Sequence, residues 1–360
     1  MKLHIFNPEH DIALAYNQRY LMVPHAAKEL RMNLGFIPSL WADSGDCVLV
    51  DDVPFAIKAS SALGIGKADI LFVEASQLAS LSFDEVCPWG WDRRLRTQLL
   101  DAGVDSNLLP CDDVLDDIRF LSGRQQTKAA LTSIRQGIED KTCGKSYWCT
   151  SMDSIKNVAG RFGNVVFKAP WSSSGRGIRY VTGGTLSVST AGWARNIIAT
   201  QGGVMAEPYY NKVKDFGMEF YSKGDGNVEY CGLSLFDTQN GAYTGNIISS
   251  ENNKLDMLSR FVSEELIDVI KQRCLGYFGS QFRYKYKGAF GIDMMIVAAD
   301  DKNGFLIHPC VEVNLRNTMG HLAISLASLL PDGTHLMRIV RNINYALKIT
   351  SIDEYFVKTF

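Results

Sequence analysis

The sequence lacks what several large classes of protein require. Its 37 basic and 39 acidic residues leave a formal charge of −2, so it has no strongly basic surface for nucleic acid. No segment approaches the ~20 consecutive apolar residues of a membrane span. Met1–Pro8 leads straight into a short apolar run without the long stretch of a signal peptide, so a cytoplasmic location is expected. The eight cysteines form no CxxC pair, which argues against a zinc site or a disulfide framework; they read as thiols in a reducing compartment. Gly144-Lys145-Ser146 has Glu139 where a P-loop needs its first glycine, and Gly64-Ile65-Gly66 has Asp69 where a dinucleotide fingerprint needs its third. The serines near Ser172 have no histidine close in sequence, so a hydrolase triad is unsupported. Repeats and low-complexity tracts are missing as well.

What is present is a soluble globular composition, 46% hydrophobic and 21% charged, over 360 residues, enough for two or three domains. Residues 1–115 read as an N-terminal α/β domain, with Leu3–Phe6, Cys47–Val50 and Ile70–Val73 as strands of a covered parallel sheet. Glu9, His10 and Asp11 follow the first strand, where ligands of such sheets gather, although an Asn-Pro turn with capping acids explains them equally well. Residues 116–207 read as a small α/β unit, with a helix from about Arg124 carrying Lys128, then Ser151–Arg161 and Ala191–Thr200 as helices and Val204–Glu207 as a strand. Residues 208–360 read as an antiparallel domain with strands Phe216–Tyr221, Val228–Leu235, Gly291–Val297 and Cys310–Asn314. A helix is expected over Ser263–Phe278, and two more over His321–Leu330 and Leu336–Leu347. The fold class is therefore α/β (α+β).

Two stretches carry chemistry. In Val165–Val181 two short strands flank Trp171-Ser172-Ser173-Ser174-Gly175-Arg176-Gly177, whose glycines let backbone N–H groups turn toward an anion. Lys168 and Arg176 add two cations, a set better suited to a polyphosphate than to a carboxylate. Taken alone, an ordinary hairpin with a polar loop accounts for it equally well. In the second stretch Glu312 and Asn314, two apart on a strand, share a face. A two-residue loop at Lys302-Asn303 sets Asp293 opposite Glu312, and one at Asn303-Gly304 sets it opposite Asn314; either puts all three on that face. Three oxygen-bearing side chains in the middle of a sheet repel unless a cation joins them, and Mg²⁺ suits one or two carboxylates plus phosphate oxygens. Arg283–Lys287 reads as a solvated strand edge, and His308 and His321 as structural histidines.

In this order the residues resemble the ATP-grasp superfamily of carboxylate–amine and carboxylate–thiol ligases, over roughly residues 120–325. The resemblance implies an N-terminal substrate domain, a small lid subdomain and a C-terminal subdomain with a metal site. It implies that Lys128 and Lys168 contact phosphates and that Ser172, Ser173, Ser174, Gly175 and Gly177 form the loop that closes over them. It assigns Glu207, Tyr209 and Tyr210 to the adenine hinge and Asp215 to the ribose. Asp293, Glu312 and Asn314 take the places of the metal ligands, with Mg²⁺ expected and Mn²⁺ as a substitute, and Arg316 follows them. Two positions depart from the family pattern. Gly291 stands where some of these ligases carry an arginine, leaving transition-state charge to Arg316 or Arg283, and Asp215 is shorter than the usual glutamate; Lys168, Arg316 and Arg176 are the expected catalytic residues. The activity implied is ADP-forming ligation of an amino-acid-like carboxylate to an amine through an acyl phosphate, on small-molecule substrates, with a homodimer allowed and no nucleic acid or membrane partner. A kinase acting on a small-molecule hydroxyl, or a regulatory ATP-binding protein without catalysis, are the alternatives. On the ligase scheme Lys168→Ala abolishes ADP formation and leaves the fold intact.

Overall fold

The computed structural model describes residues 1–66, 69–172, 177–239, 242–299 and 304–352. The chain opens with β1 (Lys2–Ile5), α1 (His10–Tyr16), α2 (His25–Leu34), β2 (Cys47–Leu49), α3 (Val53–Ala62), β3 (Leu71–Val73), β4 (Glu85–Pro88) and α4 (Arg93–Asp101). Their strands pair in parallel in the order β3-β2-β1-β4. Strand β4 was not expected, because Glu-Val-Cys-Pro is too short and mixed to register as an apolar run. Its place beside β1 reverses the strand order there. That opens a crevice at the carboxyl ends of β1 and β4, where α1 and α4 begin. The Asp52 and Asp92 side chains cap α3 and α4 by accepting from Phe55 N and Leu95 N.

Helices α5 (Asp112–Ser122) and α6 (Thr127–Arg135) follow. Leu115, Ile118 and Leu121, then Ala130, Leu131 and Ile134, keep helical spacing and are buried in the core of the large sheet described below. The next unit contains β5 (Tyr147–Cys149), α7 (Met152–Phe162), β6 (Val165–Lys168), β7 (Ile178–Val181), α8 (Val188–Gln201) and β8 (Val204–Pro208). It forms a four-stranded sheet, β5-β8-β6-β7, over its own core of Ile155, Val165, Phe167, Ala194 and Val204.

The remainder comprises β9 (Lys212–Ser222), β10 (Val228–Gln239), β11 (Ala242–Ile248), α9 (Glu251–Ser259), α10 (Glu264–Phe282), β12 (Gly288–Ala298), β13 (Phe305–Asn314), α11 (Met319–Ala327), β14 (Thr334–Arg341) and β15 (Tyr345–Ile352). Seven of its strands form an antiparallel sheet in the order β13-β12-β9-β10-β11-β14-β15. The expected helix over Leu336–Leu347 is instead the β14–β15 hairpin, paired from Thr334↔Ile352 to Arg341↔Tyr345. Leu336, Ile339, Val340 and Leu347 also fit a helical stripe, but Tyr345, Leu347 and Ile349 face inward while Ala346, Lys348 and Thr350 face out. That period of two, a turn at Asn342–Asn344 and the unpaired edge of β11 decide for strand.

One face of the large sheet is apolar: Phe216, Met218, Phe220, Ile292 and Met294 pack with Ile270, Cys274 and Phe278 of α10. The opposite face carries Asp215, Gly217, Glu219, Asp293, Glu312 and Asn314, as the β9–β12–β13 register requires. The N-terminal domain is joined to this sheet by an apolar core. Phe6, Leu34 and Val48 pack with Leu322, Leu326 and Met337, and burying each such side chain contributes about 1.5–3 kcal/mol. Helix α1 is thereby held over the acidic face. Among the described residues, no helix is long and apolar enough to cross a membrane.

Candidate nucleotide and metal site

Asp293 pairs with Glu312 and Gly291 with Asn314. Nearer the tip of the hairpin the register is Met295↔His308 and Ala298↔Phe305, so an irregularity between Asp293 and Met295 restores the Asp293–Glu312 partnership. The loop residues 300–303 on which the alternative registers turned lie outside the described residues. Asn314 Nδ2 donates to Asp293 Oδ2 at 3.3 Å, and its Oδ1 accepts from Arg316 at 3.0 Å. Arg316 also donates twice to Asp11 of α1, at 3.1 and 3.0 Å, a long-range tie between the two domains. The Asp293 carboxyl is pushed up to about 8, first by burial and then by the Glu312 and Glu219 charges. The described residues contain no group of three His, Cys, Asp or Glu side chains spaced for a metal; this trio includes an amide.

Gly291 has a steric reason to be glycine. A Cβ there would lie 2.4 Å from Glu219 Oε2 and 2.8 Å from Thr318 Cγ2, and one at Gly320 would lie 1.9 Å from Glu219 Oε1. The space an arginine would need is filled by Glu219, which lies 3.1 Å from His321 Nδ1. Burial works to lower the His321 pKa, but the Glu219 carboxylate overcomes it and raises the group to about 10. His321 also completes the cap of α11 with Thr318, in keeping with a structural histidine. Arg283 does not reach the acidic face. It ends α10 beside the turn at Gly226 and donates to the Tyr284 hydroxyl, so it is not a candidate for the site.

The cation that does reach the site was not anticipated. Arg124, buried between α5 and α6, donates to Glu312 Oε1 at 2.5 Å, to Ser172 Oγ at 2.7 Å and to the Ala169 carbonyl at 2.6 Å. It links an acidic residue of the trio to the base of the serine-rich loop. Lys128, one turn further on, is exposed. The sequence signal was present, a basic residue four before Lys128 at a helix start, but it read only as helix punctuation.

On the small sheet Lys168 donates to Glu207 Oε2 at 2.7 Å, and both side chains are buried. Its removal therefore strands a buried carboxylate, which corrects the expectation that Lys168→Ala leaves the fold untouched. The neck of the loop is tight. Ala169 N donates to Gly177 O at 2.8 Å, and a Cβ on Gly177 would meet Ser172 Oγ at 2.2 Å. Trp171 anchors it by donating to Arg119 O at 3.0 Å beneath the Arg119 guanidinium. Ser173, Ser174, Gly175 and Arg176 lie outside the described residues. Beside the hinge a cavity of about 350 Å³ is lined by Tyr209, Tyr210, Arg135, Lys145 and Phe162. Asp215 lies on the acidic face, accepting from Lys212 at 2.5 Å and Thr238 at 2.6 Å. His308 stacks edge-on to Tyr210, and burial, Lys168 and Arg135 hold its pKa down to about 3.

No protein-family model matches the chain, and no curated protein matches it. Solved structures do. A biotin carboxylase–β,γ-ATP complex from Campylobacter jejuni aligns with 94% of this chain and 75% of its own, at TM-score 0.52 and 11% identity. An ATP-grasp superfamily protein from Archaeoglobus fulgidus aligns with 98% of this chain and all of its own (100%), at TM-score 0.50 and 12% identity. At such identities the likeness is one of fold.

Proposed function

We propose that this chain, which has the ATP-grasp fold, is an ADP-forming ligase that uses ATP with Mg²⁺ or Mn²⁺ to join a small carboxylate to an amine. The observation that carries this reading is the acidic face: Asp293, Glu312 and Asn314 side by side, with Asp293 forced toward its neutral form by burial and by its acidic neighbours. Such a set fits a hard divalent cation, which removes the repulsion that keeps Asp293 protonated. When bound, the ion supplies neutralisation of the β- and γ-phosphate charge. Asp293, Glu312 and Asn314 hold it. Lys168, Lys128 and Arg176 hold phosphate oxygens, and Ser172–Gly177 closes over them and keeps water out. Tyr209 and Tyr210 border a cavity of about 350 Å³, wide enough for a purine base, with Glu207 on the adjoining strand and Asp215 toward the ribose. A carboxylate aligned by Arg316 attacks the γ-phosphorus, ADP leaves, and an amine, in preference to a thiol, displaces phosphate from the acyl phosphate. On this reading Arg124 and Arg316, which contact Glu312 and Asn314, supply the positive charge that Gly291 does not, and this supports an active enzyme over a lapsed one.

The test is a panel of amino acids and organic acids assayed for carboxylate-dependent release of ADP and phosphate, with hydroxylamine present to trap acyl phosphate as hydroxamate. The ligase reading expects at least one acid to give all three products. ADP without free phosphate or hydroxamate indicates hydroxyl phosphorylation, and AMP with pyrophosphate contradicts the scheme. In the same assay Arg124→Gln should lower turnover by about 10²-fold, with Arg124→Lys recovering part of it. Unchanged turnover in both would make Arg124 a packing residue only.

A further inference from the structure

The scheme above leaves the buried His10 unused. His10 is 1% exposed, and its Nδ1 lies 3.2 Å from Asp92 Oδ2. Asp92 is itself fixed, accepting from Leu95 N at 2.9 Å and from Asn7 Nδ2 at 3.2 Å. Gly90 closes the other side of the ring, since a Cβ there would lie 2.7 Å from the imidazole carbons. His10 Nε2 is buried with no hydrogen-bond partner among the described residues. Leaving such a nitrogen unpaired opposes folding, so an unpartnered one calls for a reason. The narrow cavity that His10 lines also touches Asp11, Ser172, Glu312 and Asn314, so it opens on the acidic face. An aspartate on Nδ1 favours the tautomer that leaves Nε2 as a bare acceptor.

Resting on the ligase reading, we propose that His10 is the general base for the acceptor amine and that Asp92 is its positioning residue. The acceptor arrives as an ammonium ion, and His10 Nε2 takes one of its protons to free the nitrogen lone pair. The nitrogen attacks the acyl carbon, the C–N bond forms and the C–O bond to phosphate breaks. The second proton lost from nitrogen leaves with the phosphate, and the proton on His10 passes to solvent.

The reaction is followed with two nucleophiles, a primary amine, protonated near neutral pH, and hydroxylamine, which is already neutral there. In His10→Gln the ratio of amide to hydroxamate should fall by about 10²-fold or more, with a smaller fall in Asp92→Asn. An unchanged ratio in a His10→Gln protein that still forms hydroxamate overturns the proposal. If the wild-type protein forms no hydroxamate with any acid, the ligase reading fails instead. His10 is then judged by nitrogen NMR of the intact chain: an Nδ1–H tautomer is expected, and an Nε2–H tautomer, which has no lone pair to offer, overturns the assignment.

Discussion

Asp293→Asn should abolish ATP turnover and, in metal-free protein, make the fold more stable near pH 8. The first effect follows from losing a charged metal ligand, worth several kcal/mol of transition-state stabilisation or about three orders of magnitude in rate. The second follows from linkage. The Asp293 carboxyl has an ordinary value of 3.8 and is raised to about 8 in the folded protein. Between those values the folded state holds a proton that the unfolded state has released, so stability falls as pH rises through that window. Asparagine is neutral throughout and removes the slope. Thermal unfolding with a chelator should show wild type and variant similar near pH 4 and the variant more stable near pH 8. Mg²⁺ with nucleotide should then restore the wild type and not the variant. A metal-free wild type that gains stability relative to Asp293→Asn across the window would contradict the electrostatic account.

Lys168→Met should eliminate ADP formation and also weaken the fold by about 3–5 kcal/mol, because the buried Glu207 carboxylate loses its partner. The double variant Lys168→Met/Glu207→Gln should regain most of that stability and none of the activity. Denaturant titration and an ADP assay on the same preparations separate the two. Activity retained in the double variant would remove Lys168 from the phosphate-binding set; stability unchanged in the single variant would mean that Glu207 escapes to water.

The acidic trio could be read from the sequence because its parts are close together along the chain and a strand alternates with a fixed period. Glu312 and Asn314 share a face whatever the loop, and both registers weighed keep Asp293 beside them. The pairing of β6 with β7 was legible for the same reason, with Val165–Lys168 and Ile178–Val181 as short, largely apolar runs on both sides of a glycine-containing stretch. What escaped were contacts between residues far apart. Arg124 meets Glu312 across 188 positions, and His10 meets Asp92 across 82. Nothing local marks either pair. Glu219 looked like one more strand residue; the reason for Gly291 emerged only when both fell on the same rung of the sheet. The β14–β15 hairpin was missed because Leu336, Ile339, Val340 and Leu347 also satisfy a helical stripe, and the open edge of β11, far away in sequence, helps to choose strand.

The central claim is that one divalent ion sits on β12 and β13 and meets a nucleotide gripped from the small sheet. A crystal grown with Mn²⁺ and a non-hydrolysable ATP analogue tests it through the anomalous signal of the metal. The account predicts a peak bonded to oxygens of Asp293, Glu312 and Asn314, with the analogue's β- and γ-phosphates completing its shell and Lys168 on the same phosphates. A metal peak away from these three side chains, or an analogue bound out of reach of Lys168, would contradict it.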